Sequence, residues 1–189
     1  LQTQQDIQIR MTTYVALLRG INVGGNNKVD MKQLKQLFEK HELSQVSTYI
    51  NSGNIIFSSP EKNREKLTTF IEGIIQKKFG FPVKTLLRTK AEIKKIADSL
   101  PAAWMNDETQ RTEILFLWKN FDKKSSLKLL TINPEVDHVQ YISGAIAWNF
   151  ERKHYKKSGL HKFIGTELYK HMTGRNINTV RKLASLLDK

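Results

Sequence analysis

Between Tyr14 and Ile21 the chain reads YVALLRGI, a nearly continuous apolar run that suits a strand buried on both faces. Gly20, Gly24, Gly25, Asn26 and Asn27 then open a loop ending at Asp30, an N-cap with Gln33 three residues on in the capping-box arrangement. Met31, Leu34, Leu37 and Phe38 follow at helical spacing and face a core. Val46–Asn51 and Asn54–Ser58 are short β-rich runs joined through Ser52-Gly53, which predicts a hairpin. Ser59 with Pro60 is expected to start a second helix, whose stripe is Leu67, Phe70, Ile71, Ile74 and Ile75 and whose end is Gly80. Pro82–Arg88 reads as a fourth strand, and Thr89 with Glu92 as the start of another helix. The order β-α-β-β-α-β is the split βαβ, ferredoxin-like pattern, with two helices on one face of an antiparallel sheet.

The second half repeats this order more loosely. Glu113–Trp118 reads as a strand, Asp122 as the cap of a short helix carrying Leu127 and Leu130, and Val136–Ile142 with Ala145–Phe150 as a hairpin through Ser143-Gly144. The run Tyr49-Ile50-Asn51-Ser52-Gly53 resembles Tyr141-Ile142-Ser143-Gly144, a short match whose weight comes from the same elements preceding both. Helices near Leu160–Met172 and Asn178–Leu187 complete the reading. The expected organisation is α+β with two ferredoxin-like subdomains, 11–99 and 113–189, joined by a linker over 100–112. Leu1–Arg10, polar and ahead of Met11, reads as the remnant of a leader or of cloning.

Composition narrows the classes. No apolar run approaches the roughly 20 residues needed to span a bilayer, so no membrane partner is expected. The absence of cysteine excludes disulfides and thiol catalysis and fits a reducing compartment, which points to the cytoplasm. The 31 Lys/Arg against 18 Asp/Glu give a formal net charge of +13, and from Glu151 to Lys189 ten Lys/Arg face three acids. Such an excess attracts phosphate-bearing partners, although a solvated lysine-rich surface gives the same count.

Three blocks carry a resemblance: ALLRGINVGG (Ala16–Gly25), TYINSGNIIF (Thr48–Phe57) and TGRNINTVRKL (Thr173–Leu183). With Met31 and Leu34 between them, they resemble the bacterial family designated domain of unknown function 1697. The chain departs from it at Ile177, where the family commonly carries an aromatic. The resemblance implies an α+β fold of two ferredoxin-like subdomains and implies no activity.

Three constellations are candidate ligand sites. In Arg19–Lys28, glycines that free backbone N–H groups before a capped helix form a possible anion nest, with Arg19, Asn22, Gly24, Gly25 and Lys28 as contacts. A β-to-α turn needing positive φ accounts for the same glycines. At the hairpin tip, Asn51, Ser52 and Asn54 are turn formers whose amides also suit a polar ligand. Arg175 and Asn176 precede a helix start, where a guanidinium and backbone N–H groups meet a phosphate, or where Asn176 or Asn178 is simply the N-cap. The run Arg152–Lys162 adds basic charge ahead of that block.

Catalytic chemistry has little footing. No GK[ST], GxGxxG, GxSxG or HExxH motif occurs, no cofactor is called for, and Glu167 with His171 is a single helical pair rather than a metal site. The third strand carries Phe57 without the basic-Gly-aromatic pattern of an RRM. The leading expectation is a protein that binds a nucleotide or nucleic acid. A protein-interaction module and an enzyme of unassigned reaction are the alternatives, and the sequence specifies no oligomeric state.

Overall fold

In the computed structural model, which describes residues 10–188, the apolar run becomes β1 (Thr12–Leu18), and Tyr14 to Leu18 are all buried, so both faces of the strand are covered. The leader reading of Leu1–Arg10 falls, but for Arg10, outside the described residues. Helix α1 (Met31–Lys40) begins as expected, with the Asp30 carboxylate accepting from Gln33 N–H at 2.7 Å. Strands β2 (Ser44–Tyr49) and β3 (Asn54–Ser59) form the hairpin. Helix α2 (Arg64–Phe79) starts later than Ser59-Pro60 predicts. Ser59 is still in β3, and its hydroxyl accepts from Glu61 N–H, while Asn63 caps the helix by accepting from Lys66 N–H at 3.0 Å. Gly80 ends α2 at φ +82. Strand β4 (Thr85–Thr89) pairs with the free edge of β1, giving the order β2-β3-β1-β4. Tyr14, Ala16 and Leu18 meet Leu34 and Phe38 of α1 and Leu67, Ile71 and Ile75 of α2 in one apolar cluster. At its centre the Phe38 ring stands edge-on to Phe57, centroids 5.4 Å apart.

The chain divides after Thr89 into two compact units. Helix α3 (Lys90–Asp98) opens the second and packs on α5 (Ile177–Leu186). The second sheet holds β5 (Gln110–Leu117), β6 (His138–Ile142), β7 (Ala145–Glu151) and β8 (Met172–Asn176) in the order β6-β7-β5-β8. The helix expected at 160–172 does not form as one piece, and β8 begins at its last residue. A 3-10 turn over Gly159–Phe163 and the single turn α4 (Glu167–Lys170) stand there instead, separated by Gly165 at φ +90. The short helix expected after Asp122 is a 3-10 turn over Lys124–Leu129 that starts from Lys123, so Asp122 is not its N-cap. The Asp122 carboxylate accepts from Tyr141 Oη (2.9 Å) and Gly144 N–H (2.7 Å), fastening the β6–β7 turn. The burial that tightens around Tyr141 and this carboxylate raise the phenol pKa.

The two sheets match residue by residue. Leu17 stands opposite Asn54 and Leu86, and Phe116 opposite Ala145 and Thr173. Leu18 N–H donates to Gly53 O at 2.9 Å, and Leu117 N–H to Gly144 O at 3.0 Å. The hydroxyl contact of Thr13 with Ser58 (3.2 Å) recurs as Asn149 Nδ2 donating to Thr112 Oγ1 (2.8 Å). Phe57 and Trp148, both fully buried, hold equivalent places, as do the buried Arg88 opposite Val15 and Arg175 opposite Ile114. The equivalence fails at the turn. Four residues, 50–53, connect β2 to β3, whereas Ser143-Gly144 alone connects β6 to β7.

Candidate functional site

Asn22 joins the glycine-rich loop to the hairpin tip. Its Nδ2 donates to Val29 O (3.0 Å) and to Asn51 O (2.8 Å), while its Oδ1 accepts from Val29 N–H (2.9 Å). Backbone bonds Asn22 N–H to Asn27 O and Asn26 N–H to Val23 O, both 3.1 Å, shape 22–27 into a small finger. Its turn residues Gly24 and Gly25, at φ +58 and +80, are in the type I′ conformation that disfavours any β-carbon. Asn27 Nδ2 braces the base by donating to Gly20 O. From the other side Gly53, at φ +80, comes so close that a β-carbon would lie 2.7 Å from Leu18 Cβ. The buried Asn54 donates its Nδ2 to Tyr49 O and to Ser52 Oγ, both at 2.9 Å.

The loop and the hairpin tip therefore meet: the Asn22 amide is spent on Val29 and the Asn51 carbonyl, and the Asn54 amide on the Tyr49 carbonyl and the Ser52 hydroxyl. Arg19 is half-buried, with its N–H donating to Lys84 O at 2.9 Å, and Lys28 is exposed. Outward the finger shows Val23, 68 % exposed, and the adjoining turn shows Ile50, 47 % exposed at φ +50.

Arg175 does lie just ahead of a helix, two residues before the first residue of α5. It lies in β8, buried, and its Nη1 donates to Gly174 O (2.7 Å) and Thr173 Oγ1 (3.1 Å). Burial pushes its pKa down to about 10, which leaves it cationic at neutral pH. Asn176 is the N-cap of α5, accepting from Thr179 N–H at 2.9 Å. The rest of that block holds the chain ahead of β5. Asn178 Nδ2 donates to Asn106 O (2.9 Å), and Arg181 donates to Trp104 O (2.9 Å) and Pro101 O (3.0 Å). Ile177 is fully buried, so it offers no stacking surface.

The basic run has a different character. Arg152, Lys153, Lys156, Lys157 and Lys162 are exposed around Tyr155, which closes a 3-10 turn with its N–H donating to Arg152 O at 3.1 Å. The Tyr155 ring is set against Phe150 (6.3 Å) and His161 (5.9 Å), with the Arg111 guanidinium carbon 5.9 Å from its centroid, and the residue is 47 % exposed. Two acids temper the charge: Glu113 pairs with Arg111 at 3.0 Å, and Glu151 pairs with Lys153, whose hydrogen bond holds the Glu151 carboxyl below its usual range. Lys156, Lys157 and Lys162 have no acidic partner among the described residues.

The comparisons with known proteins bear on the blocks just located. The family model described as "Protein of unknown function (DUF1697)" matches residues 11–147. The chain belongs to that family. A solved structure, that of a conserved bacterial protein from Streptococcus pneumoniae, is 31% identical, with 94% of this chain and 99% of that one covered and a TM-score of 0.80. Among curated proteins none matches. The first two family blocks are the loop and hairpin that Asn22 and Gly53 lock together. The third lies beyond the family match and fastens residues 101–106 to α5.

Sequence reasoning missed Asp137. Buried before β6, its carboxylate accepts from Trp148 Nε1 (3.0 Å), Ser158 Oγ (2.5 Å), Gly159 N–H (2.8 Å) and Asn133 N–H (2.9 Å). Burial raises its pKa, but these four donors outweigh that and hold it below the ordinary aspartate value. Every acceptor site is used, so the group is structural. His171 pairs with Glu167 at 3.0 Å and stacks on Phe121. No three His, Asp or Glu side chains gather in a metal-binding cluster among the described residues, and no helix there is long and apolar enough to cross a membrane.

Proposed function

We propose that the chain binds a phosphate-bearing ligand through the basic surface Arg152–Lys162 of its second unit, with Arg111 beside it. The observation that carries this reading is the contrast between this surface and the other candidates. Asn22, Asn54, Asn176 and Arg181 direct their polar groups inward at protein partners. Lys156, Lys157 and Lys162 direct theirs to solvent. Cations spread along a surface suit a run of phosphates better than one phosphate, because each contact releases condensed counterions and the gain grows with their number. Burial of Ile114, Leu115, Phe116 and Leu117 of β5 speaks against a ligand spread across the sheet face, as in an RRM.

Thermal-shift measurements at low salt with inorganic polyphosphate, oligonucleotides and mononucleotides test the proposal. A polyanion that binds the native state raises the melting temperature. The triple variant Lys156→Glu, Lys157→Glu, Lys162→Glu is expected to lose that rise while melting unliganded like the parent. Equal shifts in both proteins would refute the assignment to this surface.

A second reading rests on the finger. Val23 and the strained, exposed Ile50 present apolar side chains at one end of the first sheet, as a protein contact would require. Loss of a co-purifying partner in Val23→Ser, with thermal stability unchanged, supports this reading.

A further inference from the structure

We infer that the ligand of the basic surface is a single-stranded nucleic acid, and that Tyr155 is the platform on which one of its bases stacks. The inference rests on the phosphate-binding reading above and deepens it. Cations alone do not separate nucleic acid from other polyanions; an aromatic ring held among them does. Tyr155 is 47 % exposed although Phe150, the ring it packs against, is fully buried. Packing against Phe150 and His161, together with the turn bond to Arg152 O, holds the ring in place. It therefore loses little further freedom when a base settles on it.

The Arg111 guanidinium, 5.9 Å from the ring centroid, adds a cation beside the platform. Lys156 and Lys157 continue the chain directly from it, and Lys162 follows His161. Phosphates flanking a stacked base would meet these lysines. A duplex keeps its bases stacked inside, out of reach of a side chain at the protein surface, whereas an unpaired strand offers them at the cost of little more than local unstacking. Without hydrogen-bonding groups arranged for one base edge, the platform takes any base, and affinity falls with salt.

Fluorescence anisotropy with a labelled oligodeoxythymidylate, its duplex with oligodeoxyadenylate, inorganic polyphosphate as competitor, and vesicles of phosphatidylserine in phosphatidylcholine separates the possibilities. Tyr155→Leu is expected to weaken the single strand about tenfold or more and leave polyphosphate binding unchanged; Tyr155→Phe is expected to bind like the parent. Because Tyr155→Leu removes packing, Tyr155→Trp provides a second test in a protein that keeps a ring: its added fluorescence should be quenched by the single strand and not by polyphosphate. Polyphosphate binding without single-strand binding, duplex preferred to single strand, vesicles bound in place of oligonucleotide, or Tyr155→Leu indistinguishable from the parent would each overturn the stacking inference while leaving the phosphate reading intact. Failure of every polyanion to bind would overturn both.

Discussion

Replacing Asp137 with alanine takes the acceptor away from four donors that the structure gathers from three separate stretches of chain. Asn133 is only half-buried, so water replaces part of what it loses, and the buried Ser158 hydroxyl can rotate toward another acceptor. Trp148 Nε1 and the Gly159 N–H sit in buried residues and stay unpaired. An orphaned buried donor costs about 1–3 kcal/mol, and breaking a buried charged network about 3–5 kcal/mol, so the loss should be about 4 kcal/mol. In a chain of this size that lowers the melting temperature by about 10 °C or more. Thermal and urea unfolding followed by tryptophan fluorescence, with Trp148 itself at the site, measures it directly.

The pH dependence supplies a second readout. The folded-state pKa of Asp137 is depressed, so its stabilisation is complete above the unfolded value of about 3.9 and is lost as pH falls through the folded value. The gap in stability between the parent and Asp137→Ala should therefore be constant near neutrality and shrink in acid, below about pH 4. A loss under about 1 kcal/mol, or a gap that does not change with pH, would refute the reasoning.

Three further outcomes follow from the same geometry. Ile50→Asn should leave stability unchanged or raise it by about 1 kcal/mol in urea unfolding, since a β-branched residue at φ +50 is strained and asparagine tolerates that region. Asn22→Ala should cost about 2–3 kcal/mol, and Asn22→Gly somewhat less, because both lose the bonds to Val29 and Asn51 but only alanine adds strain at φ +54. Arg181→Ala should speed hydrogen exchange at the Trp104 amide, which bonds to Pro101 O, because both carbonyl anchors of that turn are lost while α3 and α5 keep their protection.

What could be read from the sequence follows the range of the interactions. Local devices were legible: the Asp30 cap, the left-handed Gly80 and the Gly24-Gly25 turn are each set by neighbours within a few residues. The first sheet was legible because its strands alternate with helices that each carry an apolar stripe, Leu34 and Phe38 on α1 and Leu67, Ile71 and Ile75 on α2. Strand β8 was not, because Met-Thr-Gly-Arg-Asn has the composition of a turn, and only its pairing with β5 makes it a strand. That pairing also buries Arg175, which in the sequence reads as surface charge.

Asp137 was hidden for a related reason. Beside Pro134 and His138 it resembles an ordinary turn carboxylate, and the residues that make it a hub lie 11, 21 and 22 positions further on. The loop and hairpin blocks were legible as turn chemistry, yet the side chain that joins them, Asn22, acts over 29 positions. Tyr155 passed unmarked inside a run noticed only for its lysines. The guanidinium set against it comes from Arg111 of β5, 44 positions earlier in the chain.

The binding of a polyanion at Arg152–Lys162 is tested most directly by the salt dependence of affinity for a single-stranded oligonucleotide. Each lysine that neutralises a phosphate contributes about 0.7 to the slope of log K against log salt on a single strand. The variant Lys156→Gln, Lys157→Gln, Lys162→Gln should therefore bind with a slope shallower by about 2. A parent slope near zero, or the same slope in both proteins, would contradict the account.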